Sequence, residues 1–175
     1  MKMKFTTKKI TVAALMMAIV CIVTMFAKVP IVPFGYANLG TAVILLTVMF
    51  LGGEVAILAA GIGSMLSDLL LGWPEWMIST LIIKTVMALV LLAFIVVKRK
   101  NKTKVFSASV FAGVILVCLW QVVGYVVAGS IIYGSWASGL ASGIGLLIEA
   151  GVNIVVFFVV ATVLEKANIS KYLKM

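Results

Sequence analysis

The sequence alternates long apolar runs with short polar breaks, and the runs are too long for the helices of a water-soluble core. A helix that crosses a bilayer needs about 20 mostly apolar residues, with ~17 as a practical minimum. Runs of that kind extend from Ile10 to Ala27, Val55 to Leu71, Trp76 to Val97, Val105 to Ala128 and Leu140 to Leu164, and a shorter one from Leu39 to Leu51. Only 11% of the 175 residues are charged and 65% are hydrophobic, so the chain lacks the polar surface a soluble domain would need. The reading is an all-α integral membrane protein, one six-helix domain over residues 1–175.

The short run must be surrounded by protein, begin earlier near Tyr36, or sit where the bilayer is thin, because at the helical rise it reaches only about 20 Å. The Gly52-Gly53-Glu54 turn joins it to the next run as a hairpin. The N-terminus, a basic start followed by an apolar run, lacks a polar small-residue cleavage region before Ala27 and reads as a retained first helix.

A formal charge of +9 raises the question of nucleic acid, but the lysines cluster beside apolar runs. Lys2, Lys4, Lys8 and Lys9 precede the first, Lys98 to Lys104 follow the fourth, and Lys166, Lys171 and Lys174 follow the sixth. The positive-inside rule accounts for that pattern without a nucleic-acid partner and puts both termini in the cytoplasm. The outer loops are then Lys28 to Asn38, Gly72 to Glu75 and Gly129 to Gly139. Their aromatics, among them Phe34, Tyr36, Trp73, Trp76, Tyr133 and Trp136, suit a headgroup belt.

Ionisable side chains inside a span are costly, by about 2.5 to 3.5 kcal/mol on insertion scales, and therefore mark functional sites. Asp68, Glu75, Lys84 and Glu149 are the candidates, all toward the outer side. Counted along their helices, Lys84 and Glu149 lie ~12 and ~13 Å below the outer ends, at one depth, and pair either as a structural ion pair or at a ligand site. Asn153 lies one turn below Glu149, and Gln121 one turn below Tyr125. Asp68 reads first as structural, its carboxylate accepting from Ser64, Trp73 or loop amides, and Glu75 as solvated.

An outer pocket rimmed by Tyr36, Trp73, Trp76, Tyr125 and Trp136, with Asn, Gln, Glu and Lys at its floor, suits a flat heteroaromatic solute. With no His, no Ser/His/Asp set and no phosphate loop, neither an enzyme nor an ATPase is indicated. Cys21 and Cys118 fall inside apolar runs and imply neither a disulfide nor, without His, a metal site. Gly61, Gly63, Gly143, Gly145 and Gly151 suit helix packing, and Ala14 and Ala18 form a small-xxx-small pair on the first helix.

The runs Asn38-Leu-Gly-Thr-Ala-Val-Ile-Leu-Leu, Leu51-Gly-Gly, Gly61-Ile-Gly-Ser64, Ser67-Asp68-Leu-Leu, Gly72-Trp73 and Thr80-Leu-Ile-Ile-Lys84 resemble the S component of energy-coupling factor vitamin transporters. The similarity is to the riboflavin-type branch, which includes hydroxymethylpyrimidine and pyridoxine carriers. It implies a subunit that captures a vitamin from outside and works with a transmembrane coupling subunit and two ABC-type ATPases, which bind the ATP. The chain itself needs no cofactor. The resemblance also implies docking on the coupling subunit through Ala14 and Ala18. It places the vitamin near the first, third and fifth loops and the outer ends of helices four to six, which brings in Asn38 with Tyr36, Trp73, Trp76, Lys84, Gln121, Tyr125, Glu149 and Asn153. Thr41 departs from the acidic residue expected in the Asn-Leu-Gly-Asp form of the motif. A self-sufficient proton-coupled carrier using Lys84 and Glu149 is the alternative, although the halves show none of the internal repeat such carriers have.

Overall fold

The structure is a computed structural model and describes residues 6–30, 36–96 and 104–169. Lys2, Lys4, Pro33, Phe34, Lys171, Lys174 and the basic loop from Lys98 to Lys102 lie outside the described residues.

Among the described residues six α-helices follow in order: α1 (Thr7–Phe26), α2 (Gly40–Phe50), α3 (Gly53–Leu70), α4 (Met77–Val96), α5 (Ala108–Ile132) and α6 (Trp136–Lys166). Five are long and apolar enough to cross a membrane, while α2 has only 11 residues. The helices form a closed ring of neighbours, α1 against α3, α3 against α4, α4 against α5, α5 against α6, with α2 between α6 and α1. The short helix also touches α3 and α4, and Thr41, Ala42, Ile44, Leu45 and Val48 are all buried. Of the three ways to accommodate so short a run, being surrounded by protein is the one adopted.

Ahead of α2 the backbone is not helical. Strands β1 (Lys28–Pro30) and β2 (Tyr36–Asn38) pair antiparallel with Lys28 opposite Asn38, and β2 runs along α6. Non-helical backbone is tolerated at membrane depth only where protein covers it, and here α6 and α1 lie against β2. The sequence reading treated this segment as a plain loop.

Ion pairing and hydrogen bonding tie one end of the bundle together. Lys9 Nζ lies 2.8 Å from Glu54 Oε2, joining the starts of α1 and α3, and the Val105 amide donates to Glu165 Oε1 at 3.1 Å. The opposite end holds the β ribbon and the turns after α3 and α5. Both turns close alike. Trp73 N donates to Asp68 O and Gly72 N to Leu69 O, while Ser135 N donates to Ser130 O and Gly134 N to Ile131 O. This doubly bonded helix end needs a left-handed residue, which Gly72 (φ +80°) and Gly134 (φ +64°) supply without a Cβ clash.

That geometry corrects the fifth loop. It was expected to run from Gly129 to Gly139, but only Tyr133 to Ser135 separate α5 from α6. Gly129 is an interior helical residue, and the stop signal is Gly134. Ser135 then caps α6, its hydroxyl accepting from the Ser138 amide at 3.5 Å. Of the glycines assigned to packing, Gly61 sits against Leu81 and Thr85 of α4 and Gly63 against Met17 and Val20 of α1, whereas Gly151 faces open space.

Candidate functional site

The polar residues foreseen inside the membrane converge at the turn-bearing end, as a cavity and a sealed layer beneath it. The lower layer is built on Lys84, which is only 4% exposed. Its Nζ donates to Thr41 Oγ1 at 2.7 Å and to Gln121 Oε1 at 2.9 Å, and stands 5.5 Å from the centre of the Tyr125 ring. Thr41 in turn donates to Gln121 Oε1 at 2.9 Å. The other half of the Gln121 amide, Nε2, donates to Glu149 Oε1 at 3.3 Å. Lys84 and Glu149 are thus at one level, but they do not form the direct ion pair expected of them. The Lys9–Glu54 salt bridge lies at the other end of the bundle. The neutral amide of Gln121 separates the lysine from the carboxylate while bonding to both.

Asn153 completes the floor and spends its whole side chain on backbone. Its Oδ1 accepts from Ala42 N at 2.7 Å, and its Nδ2 donates to Asn38 O at 2.8 Å and Glu149 O at 2.9 Å. Helix α2 has no side-chain cap at Leu39, so Asn153 satisfies a first-turn amide that would otherwise be orphaned in a dry interior. Asn38 Oδ1 takes the amide of Gly40 at 3.1 Å, and its Nδ2 donates to Glu149 Oε1 at 3.1 Å. Asn153→Ala is therefore expected to cost about 2 kcal/mol through unsatisfied backbone groups. The check is the thermal midpoint of the detergent-purified protein, and an unchanged midpoint with weakened ligand binding would return Asn153 to ligand contact.

Above this layer lies a cavity of about 300 Å³. Glu149 of α6 and Asn38 of β2 reach its base. Trp76 and Tyr125 supply an aromatic wall, their ring centres 5.9 Å apart, and Trp76 also packs edge-on against Tyr133. Thr80 and Asp68 line the α3–α4 side, Ser142 and Leu146 the α6 side. The Tyr125 hydroxyl lies 3.2 Å from Thr80 Oγ1, and the Thr80 hydroxyl stands beside the Asp68 carboxylate. A larger apolar groove between Gly61 and Thr85, on the outside of α3 and α4, carries no polar chemistry.

Of the residues named from sequence, Asn38, Trp76, Tyr125 and Glu149 reach the cavity, whereas Lys84, Gln121 and Asn153 lie beneath it. Trp73 is half exposed and Trp136 is 65% exposed, and neither lines it. Tyr36 belongs to β2, and its side chain lies outside the described residues. Asp68 does brace the Trp73 turn, but through its backbone carbonyl. Its carboxylate accepts nothing from Ser64 or Trp73, and both Ser64 Oγ and Asp68 Oδ2 are buried without partners. Glu75 is exposed, as expected. Ala14 and Ala18 are exposed on the face of α1 that turns away from α3.

Residues 4–168 match the family described as ECF-type riboflavin transporter, S component. The chain belongs to that family. It is also 31% identical over 116 residues, 66% of its length and 74% of the other's, to an uncharacterized protein of Pyrococcus woesei. As an S component it is the vitamin-capturing membrane subunit of an energy-coupling factor transporter, partnered by a coupling subunit and ATPases, and is not an enzyme.

Three lining residues of this S component escaped the sequence reading: Thr80, Ser142 and Leu146. A signal for them existed. Ser142, Leu146, Glu149 and Asn153 fall at steps of four, three and four, one stripe of α6, and Thr80 is one turn above Lys84.

Proposed function

We propose that this S component captures a small single-ring heteroaromatic vitamin or precursor, of the hydroxymethylpyrimidine or pyridoxine class, from outside the cell. The observation that carries the reading is the cavity itself. About 300 Å³ is at the low end for small-molecule sites, which suits one ring with short substituents better than a fused three-ring system. Trp76 and Tyr125 offer a flat apolar wall, and Asn38, Thr80, Ser142 and Glu149 offer hydrogen bonds at its edges.

The outward direction rests on charge. Lys8, Lys9, Lys104 and Lys166 sit at the end away from the cavity, and short lysine-rich segments stay cytoplasmic. Both termini are then cytoplasmic, the membrane is a bacterial-type plasma membrane, and the cavity mouth faces out. Ala14 and Ala18 are the docking surface for the coupling subunit.

The family description favours riboflavin as the second reading. Mass spectrometry of the small molecule that copurifies with the protein separates the two: a pyrimidine or pyridine is expected, and a flavin would replace the first reading with the second. Uptake in cells with and without the coupling module tests the transporter class. Accumulation against a gradient without that module would overturn the capture-subunit reading in favour of a self-sufficient carrier.

A further inference from the structure

Among the described residues the cavity is lined by two carboxylates and no cation. Glu149 enters from α6 and Asp68 from the end of α3. Glu149 is 8% exposed; its Oε1 takes both Asn38 and Gln121, and its Oε2 makes no hydrogen bond among the described residues. Asp68 Oδ2 is buried and has no partner at all. The buried Lys84 beneath the cavity is committed below the floor to Thr41 and Gln121. A buried carboxylate oxygen without a donor costs on the order of 1–3 kcal/mol or more, and native interiors leave few such atoms without a reason. One such atom, Asp68 Oδ2, and the unbonded Oε2 of Glu149 belong to residues that border the same cavity on different elements, which suits a ligand that brings a donor to each.

Building on the capture reading, we infer that Asp68 is the specificity-determining second anchor of the site, and that with Glu149 it selects a ring bearing an exocyclic amine or protonated nitrogen and rejects anionic rings. Glu149, the deeper of the two, meets one edge of the ring. Asp68, about one turn from the end of α3, meets a donor near the mouth. An anion would face two negative groups with no cation lining the cavity among the described residues, and such like-charge juxtaposition is an effective means of rejection. A neutral ring offering only acceptors would leave Asp68 Oδ2 and Glu149 Oε2 without donors, which costs more than the loss of one favourable contact.

Calorimetric titration of the purified full-length protein, cleared of copurified ligand, tests this with four probes. They are 4-amino-5-hydroxymethyl-2-methylpyrimidine, the same ring with oxygen in place of the amine, 4-pyridoxic acid as the anionic ring, and riboflavin. The amine is expected to bind at least about tenfold more tightly than its oxygen analogue, and the acid not measurably. Asp68→Asn keeps the shape of the side chain and disturbs no hydrogen bond of the floor. It is expected to lower amine affinity about tenfold or more and to admit the acid, with an unchanged thermal midpoint when empty. Unchanged amine affinity in Asp68→Asn, or wild-type binding of the acid as tight as that of the amine, would overturn the inference. If riboflavin or an uncharged ring binds tightly and Asp68→Asn has no effect, the capture reading stands and the anchor falls. If none of the four binds, both fall.

Discussion

Replacing Lys84 with methionine is expected to destabilise the protein by about 3–5 kcal/mol, the range for removing one partner of a buried charge pair. Methionine fills the volume of the stem but donates nothing. Thr41 and Gln121 keep their mutual bond at 2.9 Å, so the neutral part of the layer survives. What is lost is the positive charge that offsets Glu149, felt through the Gln121 amide bonded to both. Glu149→Gln alone is expected to do comparable damage for the opposite reason, leaving a buried lysine unbalanced. The double variant removes both charges, and buried pairs replaced together by neutral groups are often tolerated. It is therefore expected to recover most of the lost stability while binding stays weak, because on the proposed reading the lost carboxylate is the one that meets the ligand. Thermal unfolding of wild type, both single variants and the double variant forms a cycle. Strictly additive losses would show that the two charges do not sense each other through Gln121.

The same residues show how far the sequence could be read. The all-helical class, the five long apolar helices and the common depth of Lys84, Gln121 and Glu149 were legible, because apolar run length and helical rise are one-dimensional quantities. Which of those residues touch a ligand was not legible. Depth along a helix does not say whether a side chain opens into a cavity or is sealed by a neighbour, and Asn153 is sealed by the backbone of Asn38 and Ala42, more than 110 positions away in sequence. The β ribbon before α2 was missed because three-residue strands carry too little alternation to register. The fifth loop was drawn too long because Gly129 resembles a helix stop, and only backbone dihedrals distinguish it from Gly134. Asp68 was assigned to the turn it braces, and its backbone does that work, which leaves the carboxylate available to the cavity.

Ala14→Trp combined with Ala18→Trp is expected to abolish uptake while leaving vitamin binding within about twofold of wild type, since neither position is near the ligand. The reason lies in how α1 packs. Its inward face is Ala13, Val20 and Cys21, with Met17 and Val20 pressed against Gly63 of α3. Ala14 and Ala18 are on the exposed side, beside the protruding side chains of Leu15 and Ile22. Bulky indoles there meet nothing within the chain, so the fold and the cavity at the far end of the bundle are spared. In lipid, helices associate by close backbone approach over small residues, because apolar surface gains nothing by leaving acyl chains. Two indoles would hold a partner helix away from that surface and, on the proposed docking reading, remove the contact with the coupling subunit. The paired measurements are uptake in cells that express the coupling module and copurification of that module with the tagged variant. Loss of both with retained binding places the coupling contact on this face of α1, and assembly of the intact complex would place it elsewhere.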